Sequence, residues 1–365
     1  MAEMSPVDHQ DQIRQRPGRA FQRRWPAGVG ALLLAGLLTG SSVDDRPPES
    51  SCAARETTHV RWLRVSPASE HAAIDRWCAG VGAPARVSAA TPHRALEGPF
   101  AVVSWNTHVG AGDVDALVAD LRTGRLTNGV PAPHFVLLLQ EAYRAGRDVP
   151  VHNLRDARWA SAQRPPREAG RREDIVTIVA RLALDMVYVP SMRNGAPLAT
   201  DEDRGNAILS TAPLSDVTAI ELPLERQRRV AIQAVVRVRT ASGELPITIV
   251  DTHFTNMVMH HLWLLSETGR LRQARALAGI LPQSGPLVVG GDFNAWFGFH
   301  DAAYREMTRI VRPASDQDRR ASFGPLRLDH ILFRVPDAWR VTLRRADQRY
   351  GSDHYPLVAT IVPAG

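Results

Sequence analysis

The sequence predicts an α/β protein in which packed β-sheets are flanked by helices. Two observations lead to this prediction. Apolar runs of strand length recur along the chain after residue 92, and stretches with helical periodicity lie between only some of them. Because several predicted strands follow one another without a helix, the order does not suit a sheet wound from βαβ units and favours packed sheets.

Eight short runs predict strands because they are apolar and rich in β-branched residues. They cover residues 101–105, 135–139, 206–210, 230–238, 247–250, 287–289, 331–333 and 357–362. Helices are predicted over residues 114–122, 174–184, 267–281 and 302–311, and Gly124 supplies a stop signal for the first. The arginine- and proline-rich stretch 155–172 predicts a surface loop, either simply solvated or in contact with a substrate.

Length and composition are those of a globular protein. The chain has 365 residues, of which 44% are hydrophobic and 22% charged. We divide it into an N-terminal segment 1–42, an extension 43–97 and a main domain 98–365. The net charge is +6, and all 44 Lys and Arg positions are arginines. Arginine suits phosphate recognition because its guanidinium donates bidentate hydrogen bonds, although a charge of this size favours anionic substrates only weakly.

The N-terminal segment 1–42 predicts export. Several arginines precede the uncharged run AGVGALLLAGLLTG at 27–40, which is shorter than the ~20 residues that a bilayer-spanning helix needs. Small residues at 39–42 offer a cleavage region, but no Ala-x-Ala triplet is present. Removal of the signal and its retention as a membrane anchor both stay open. We therefore predict a periplasmic or secreted protein, with attachment to the membrane through this segment as the alternative.

The chain has two cysteines, Cys52 and Cys78, which lie 26 positions apart just beyond the predicted signal. In an oxidising compartment this pair predicts a disulfide, which would stabilise the fold by ~3 kcal/mol through the unfolded state. A metal site is poorly supported because no CxxC motif or neighbouring histidine pair accompanies the two cysteines.

Polar side chains follow the predicted strands at their ends. The run Val288–Val289 ends in two glycines followed by Asp292 and Asn294. Other strand boundaries carry Asn106, Gln140-Glu141, Asp251-Thr252-His253, Asp329-His330 and Ser352-Asp353-His354. Each group alone has an ordinary explanation, such as a turn, a helix cap or a hydrogen-bonded core histidine. Together they predict a site, because acids and imidazoles converge beside core strands where a metal or an ionic reaction compensates their burial.

The ordered motifs SWNTH, LLQEAY, RGNAILST, VDTHF, GGDFNAW, RLDHI and GSDHYPL, between residues 98 and 362, resemble those of the endonuclease/exonuclease/phosphatase superfamily. That superfamily includes pancreatic-type deoxyribonuclease, abasic-site endonucleases, neutral sphingomyelinases and inositol polyphosphate 5-phosphatases. The resemblance implies a four-layer α/β sandwich of two mainly antiparallel β-sheets flanked by helices, with the site at one end.

The resemblance also implies catalytic roles. Asp292 would orient or deprotonate the attacking water, and Asn294 would position the water and the phosphate. His253 would hydrogen-bond a non-bridging phosphate oxygen. His354, paired with Asp329, would stabilise the negative transition state or assist proton transfer, since the acid fixes the imidazole tautomer.

A divalent cation, Mg²⁺ or Mn²⁺, is implied as the cofactor. Glu141 would hold it, with Asn106 and Asp353 completing the site, because hard oxygen ligands suit these ions. In SWNTH, His108 takes a position where some superfamily members carry a metal-binding acid, so the number of metal ions stays open.

Other polar residues near these motifs have less specific interpretations. Arg204 is the candidate substrate-binding residue, and pairing with Asp203 is the equal alternative. His330 is expected to point to the other face of its strand and to be structural. His260 and His261 receive no role.

We therefore predict an exported, divalent-metal-dependent phosphoesterase that hydrolyses phosphodiester bonds of nucleic acid by in-line attack of water. The alternatives are a phosphodiesterase acting on phospholipid head groups or small phosphoesters, and a non-catalytic secreted binding protein on the same scaffold. Nucleic-acid binding should weaken steeply with salt. A monomer without a protein partner is expected.

Overall fold

A computed structural model of the chain describes Cys52 and residues 60–89, 93–150, 172–193, 201–225, 227–256 and 267–364. These residues belong to one compact unit, Pro48–Gly365. The predicted export segment 1–42, nearly all of the predicted loop 155–172, and His260 and His261 lie outside the described residues. Within the described ranges, no helix has the length and apolar character needed to cross a bilayer.

The first sheet has seven strands, which we number in chain order. In spatial order they are β1 (Arg61–Arg64), β7 (Ser215–Glu221), β8 (Val230–Thr240), β9 (Gly243–His253), β10 (Leu287–Asp292), β13 (Asp329–Arg334) and β11 (Arg312–Pro313). Strands β9 and β10 run parallel, and β13 runs antiparallel to β10. The carboxyl ends of β9 and β10 therefore meet the amino end of β13.

The second sheet has eight strands. In spatial order they are β12 (Asp316–Gln317), β14 (Arg340–Arg345), β15 (Leu357–Val362), β3 (Phe100–Asn106), β4 (Phe135–Ala145), β6 (Glu202–Ser210), β5 (Asp185–Arg193) and β2 (Ala85–Val87). Strands β3 and β4 are parallel, whereas β15 pairs with β3 and β6 with β4 in antiparallel fashion. Antiparallel pairs predominate in both sheets.

The described residues form five helices, four of which cover the outer faces of the two sheets. They are α1 (His71–Ala79), α2 (Val114–Arg122), α3 (Ile175–Leu182), α4 (Thr268–Ala278) and α5 (Ala302–Met307), with short 3-10 turns at Ala68–Glu70 and Gly298–His300. Apolar residues of α2 and α3 pack on the second sheet, and those of α4 and α5 pack on the first. A third core, which includes Val102 and Val288, fills the space between the sheets. The predicted four-layer sandwich is confirmed.

All eight strands predicted from apolar runs lie within observed strands, and α2 has the predicted bounds. Three long strands were missed. In β5, Pro190 argues against a strand because it has no backbone N–H. It lies at a register shift in the pairing with β6, where a missing donor is tolerated. Strands β7 and β14 carry too many polar residues to stand out as apolar runs. The prediction also ran α3 to residue 184, whereas Ala183 caps the helix in a left-handed conformation, with φ 54°.

The predicted disulfide is confirmed, because Cys52 and Cys78 are bonded. Residues 60–89 place β1 at one edge of the first sheet and β2 at one edge of the second. The disulfide lies beside a buried ion pair between Arg228 and Glu221, whose atoms are 2.9 Å apart. Arg228 Nη2 also donates to Cys52 Sγ at 3.3 Å, which ties the disulfide to the residue just before Arg229 and β8.

Candidate active site

Three polar residues of the first sheet meet through strand register. His253 ends β9, Asp292 ends β10, and these two residues are register partners. Asp329 begins β13 and pairs with Asp292 from the other side. The pairing therefore sets Asp292 between an imidazole and a second carboxylate. All three residues are buried.

The glycine pair before Asp292 has a steric cause. A Cβ on Gly290 would come within 2.6 Å of Leu138 Cδ1, on the facing sheet. A Cβ on Gly291, where φ is +154°, would lie 1.8 Å from the carbonyl oxygen of Thr252. Only glycine lets β10 approach both neighbours this closely. The GGD sequence thus brings Asp292 close to the end of β9.

The second sheet brings its own polar residues to the same end. Asn106 ends β3 and pairs with Gln140 on β4, so that Glu141 lies one residue further along. The pairing of β4 with β6 shifts register between Leu139 and Ala142, and Glu141 has φ 53°. A bulge of this kind re-aims a side chain. Here the re-aimed side chain is a buried carboxylate.

Asp292 is the centre of the hydrogen-bond network. Its Oδ2 accepts from Asn106 Nδ2 at 3.0 Å, which joins the two sheets. Its Oδ1 accepts from the Asn294 backbone N–H at 2.8 Å, while Asn294 Nδ2 donates to the Phe254 carbonyl at 2.8 Å. Burial, together with the nearby Asp329 charge, raises the pKa of Asp292 to about 6. A carboxylate of this kind is suited to accepting a proton near neutral pH.

His354 lies against Asp329. Its Nδ1 is 2.8 Å from Asp329 Oδ2, and its Nε2 is 3.9 Å from Asp292 Oδ2. Burial disfavours the imidazolium, but the Asp329, Asp292 and Asp353 carboxylates outweigh it and raise the pKa of His354 to about 10. Ser352 Oγ holds the backbone here, because it accepts from the His354 N–H at 3.0 Å and donates to the Asn106 carbonyl at 2.6 Å. These carboxylates therefore favour the imidazolium form of His354 beside Asp292.

His253 has the opposite electrostatic environment. Its Nε2 lies 3.4 Å from Asp292 Oδ2, and its Nδ1 lies 3.2 Å from Nη1 of Arg229. Burial lowers the pKa of His253 well below its ordinary value, and the charges of Arg229, Arg204 and His354 lower it further. Burial and these cations therefore favour the neutral form of His253.

The predicted metal-holding residues form a less closely bonded group. Glu141 Oε2 faces Arg204 Nη1 across 3.8 Å. Asp353 Oδ1 is 3.6 Å from His108 Nδ1 and 4.0 Å from His354 Nε2. Asn106 Oδ1 accepts from the His108 backbone N–H at 3.0 Å, which leaves one lone pair available. All donors in this set are oxygens, and such a set fits Mg²⁺ or Mn²⁺.

A second set of ligand-type groups lies nearby. One atom each of Asp292, Asp329 and His354 lies within 4.8 Å of the others, and among the described residues the only other such group contains the disulfide cysteines with Glu221. In this trio, however, Asp329 Oδ2 and His354 Nδ1 bond each other. Asp329 Oδ2 and His354 Nδ1 are therefore suited to sharing a proton.

The structure thus gathers the sequence-predicted residues at one end of the sandwich. Arg204 faces Glu141, while the Asp203 carboxylate accepts from the Tyr188 hydroxyl at 2.6 Å and from the Gly82 N–H at 2.7 Å. His330 is structural as predicted, since its ring packs against Phe293, Phe299 and Tyr304.

Arg229 and Ser322 were missed, and Ser352 was named at its strand boundary but given no role. Ser322 Oγ accepts from the Asp329 N–H at 3.1 Å. The one available signal was the pair Arg228-Arg229 directly before the apolar run of β8. Cations next to a core strand indicate buried partners, because arginines are rarely buried unless they are paired.

Residues 103–354 match the family model of the Endonuclease/Exonuclease/phosphatase family. A UPF0294 protein of Vibrio parahaemolyticus is 31% identical over 129 residues, which cover 33% of this chain and 42% of that protein. The chain therefore spans less than half the length of this curated relative.

Solved structures resemble this chain in fold. A crystal structure of an endonuclease/exonuclease/phosphatase from Beutenbergia cavernae has a TM-score of 0.50 and 17% identity, and the match covers 73% of this chain and 72% of that one. The human nocturnin catalytic domain with bound sulfate has a TM-score of 0.45 and 18% identity, with 76% and 97% covered. At these identities the likeness concerns the fold alone.

Proposed function

We propose, from the premise that this chain belongs to the endonuclease/exonuclease/phosphatase family, that it is an exported, divalent-metal-dependent phosphodiesterase acting on nucleic acid. One observation carries the proposal. A buried carboxylate, Asp292, lies within 4 Å of a neutral imidazole, His253, and of a cationic imidazole, His354, beside an all-oxygen set of ligand-type groups. Such an arrangement suits attack of water on a phosphodiester.

Asp292, His354 and His253 each have a chemical task in this proposal. Asp292 takes a proton from the attacking water, because its pKa of about 6 lies close to neutral pH. His354, held by Asp329 through Nδ1, presents a positive Nε2 that stabilises the developing charge on the phosphoryl oxygens. His253 Nε2 donates a hydrogen bond to a non-bridging oxygen.

Asn106, Glu141 and Asp353 would hold Mg²⁺ or Mn²⁺. When bound, the ion polarises the phosphoryl group and stabilises the leaving oxygen. The fit rests on the ligand atoms, since these side chains offer hard oxygens. Neither carboxylate lies within hydrogen-bond distance of its basic neighbour, Arg204 or His108.

An arginine–aromatic cluster next to His354 favours nucleic acid as the substrate. The guanidinium of Arg345 lies 3.9 Å from the ring centre of Tyr355, and that of Arg349 lies 4.6 Å away. Arg349 is exposed, and Tyr355 is partly exposed and directly follows His354. Arginines beside an accessible aromatic ring bind phosphates and stack on bases in proteins that hold single-stranded nucleic acid.

The activity is tested with the purified full-length chain on plasmid DNA, RNA, bis-p-nitrophenyl phosphate and sphingomyelin, each with Mg²⁺, Mn²⁺ or EDTA. The proposal expects metal-dependent cleavage of DNA or RNA, with kcat/KM falling steeply as salt rises. Turnover of sphingomyelin alone would replace the nucleic-acid substrate by a lipid head group. If every substrate stays intact while the chain is folded, the alternative of a binding protein on the same scaffold gains support.

The salt response can be traced to one residue. Arg349→Gln should lower the slope of log kcat/KM on DNA against log salt by about 1 if Arg349 contacts one phosphate. The matched control is Arg237→Gln, an exposed arginine on β8, which should leave the slope unchanged. Equal slopes in both variants would show that Arg349 of the arginine–aromatic cluster does not contact the nucleic acid.

Export is supported by two features of the chain. The arginine-rich start followed by the apolar run 27–40 is typical of a signal. The Cys52–Cys78 disulfide is typical of oxidising compartments. Cell fractionation with thiol labelling would test this point, because a cytoplasmic chain with two free thiols would contradict it.

A further inference from the structure

Arg229 is a buried cation at the back of the candidate active site. It directly precedes β8, and it is 2% exposed. The pairing of Ala231 with Thr252 sets this end of β8 beside His253. Nη1 of Arg229 lies 3.2 Å from His253 Nδ1, and its Nε has no hydrogen-bond partner among the described residues. Burying a guanidinium is costly, and attraction to the Glu141 and Asp292 carboxylates offsets part of this cost.

The chemistry of the contact fixes which atom carries the proton. A guanidinium has five N–H donors and no acceptor, and it stays protonated in proteins. His253 Nδ1 must therefore accept the hydrogen bond, and a neutral imidazole that accepts at Nδ1 carries its proton on Nε2.

We infer that Arg229 is a positioning residue that holds His253 in the Nε2–H tautomer and aims this N–H at the reacting phosphate. The catalytic consequence of this inference rests on the proposed function, whereas the tautomer of His253 does not depend on any activity. The Nε2 atom is 3.4 Å from Asp292 Oδ2, so it lies on the side of the ring where the water-activating carboxylate sits.

The two imidazoles thereby receive different tasks from their partners. His354 has a carboxylate, Asp329, behind its Nδ1, which favours the doubly protonated ring. His253 has a guanidinium behind its Nδ1, which excludes a proton there. His253 can donate through Nε2 but cannot act as a base through Nδ1. The positive charge behind the ring also polarises the Nε2–H bond and makes it a stronger donor.

The tautomer can be measured directly on the full-length wild-type chain by two-bond ¹H–¹⁵N NMR correlation after ¹⁵N-histidine labelling. The resonances that vanish in His253→Gln assign the residue among the 13 histidines. We expect an unprotonated Nδ1 and a protonated Nε2. A protonated Nδ1 at neutral pH, in either the other tautomer or the imidazolium, would overturn the inference.

Variants then connect the tautomer to the reaction. Arg229→Met should give a mixture of tautomers and lower kcat by about 10- to 100-fold, as for other outer-shell residues, with KM changed little. Arg229→Lys keeps a buried donor and should keep the Nε2–H tautomer and most of kcat. Arg237→Met, on the exposed side of β8, is the control and should match the wild type.

Three outcomes decide between the inference and simpler explanations. A loss of kcat in Arg229→Met with the His253 tautomer unchanged would show a merely structural role and overturn the inference. If Arg229→Met does not fold, as judged by its melting transition, the wild-type NMR result and Arg229→Lys still decide. The expected tautomer in a chain that cleaves no phosphodiester would contradict the proposed function and leave Arg229's effect on the tautomer standing.

Discussion

Two halves of the site differ in how their polar groups are held: the first contains His253, Asp292, Asp329 and His354, and the second contains Glu141 and Asp353. On the first sheet, Asp292 receives two hydrogen bonds within 3.0 Å, and Asp329 lies 2.8 Å from His354. In the second half, Glu141 on β4 and Asp353 in the segment before β15 meet their basic neighbours only at 3.6 Å or more. The protein itself fixes the groups proposed to move protons, whereas the oxygens proposed to hold the metal keep their capacity for a ligand.

Asn106 joins the two halves. Its Nδ2 donates to Asp292, while its Oδ1 accepts from the His108 backbone N–H. One amide therefore orients Asp292, the proposed base, and also carries an oxygen of the proposed metal-holding set. This division predicts that variants of the first half change the chemical step, whereas variants of the second half change the requirement for metal.

The largest expected effect is that of Asp292→Asn. Removing the general base should lower kcat by up to about 10⁴-fold, since an amide cannot take the proton of the attacking water. The concentration of Mg²⁺ that gives half-maximal rate should stay within about threefold of the wild type if the two halves are independent. Single-turnover kinetics with a Mg²⁺ titration measures both quantities. Asp347→Asn, whose side chain is 83% exposed, is the control.

Asp329→Asn should have the next largest effect, a loss of about 10²-fold in kcat, because His354 loses the carboxylate that orients it and favours its charge. The fold should persist, since the Asp329 backbone pairing in β13 is unchanged. The same ¹⁵N-histidine spectra report the protonation of His354. A His354 that remains doubly protonated near neutral pH in the variant would mean that Asp329 is not its main partner.

Glu141→Gln should affect the second half. The half-saturating Mg²⁺ concentration should rise by about 10- to 100-fold, with a smaller change in kcat at saturating metal. Glu97→Gln removes an exposed acid that pairs with Arg239 and is the matched control. Calorimetric titration with Mg²⁺ gives the affinity without turnover. If Asp292→Asn and Glu141→Gln shifted this affinity equally, the distinction between the halves would be wrong.

Much of the first half could be predicted from the chain. Asp292 and His253 each end an apolar run, and parallel strands bring such ends together. Glu141 was identified by its motif, but its orientation depends on a β-bulge that no local sequence pattern predicts. Arg229 was missed because a sequence shows where a cation lies and not which group it faces. Its role follows from strand pairing across β8 and β9, which is a tertiary property.

The smallest expected effect on activity is that of removing the disulfide. In Cys52→Ser/Cys78→Ser, the free energy of unfolding should fall by about 3 kcal/mol, because the loop of the unfolded chain is no longer closed. Urea denaturation measures this change. The kcat value well below the unfolding midpoint should stay within about twofold of the wild type, since the Arg228–Glu221 pair beside the cysteines remains and holds the start of β8. A loss of kcat above tenfold in the folded variant would instead show that the disulfide acts on Arg229 and His253 through Arg228. The disulfide and the candidate active site would then be energetically coupled.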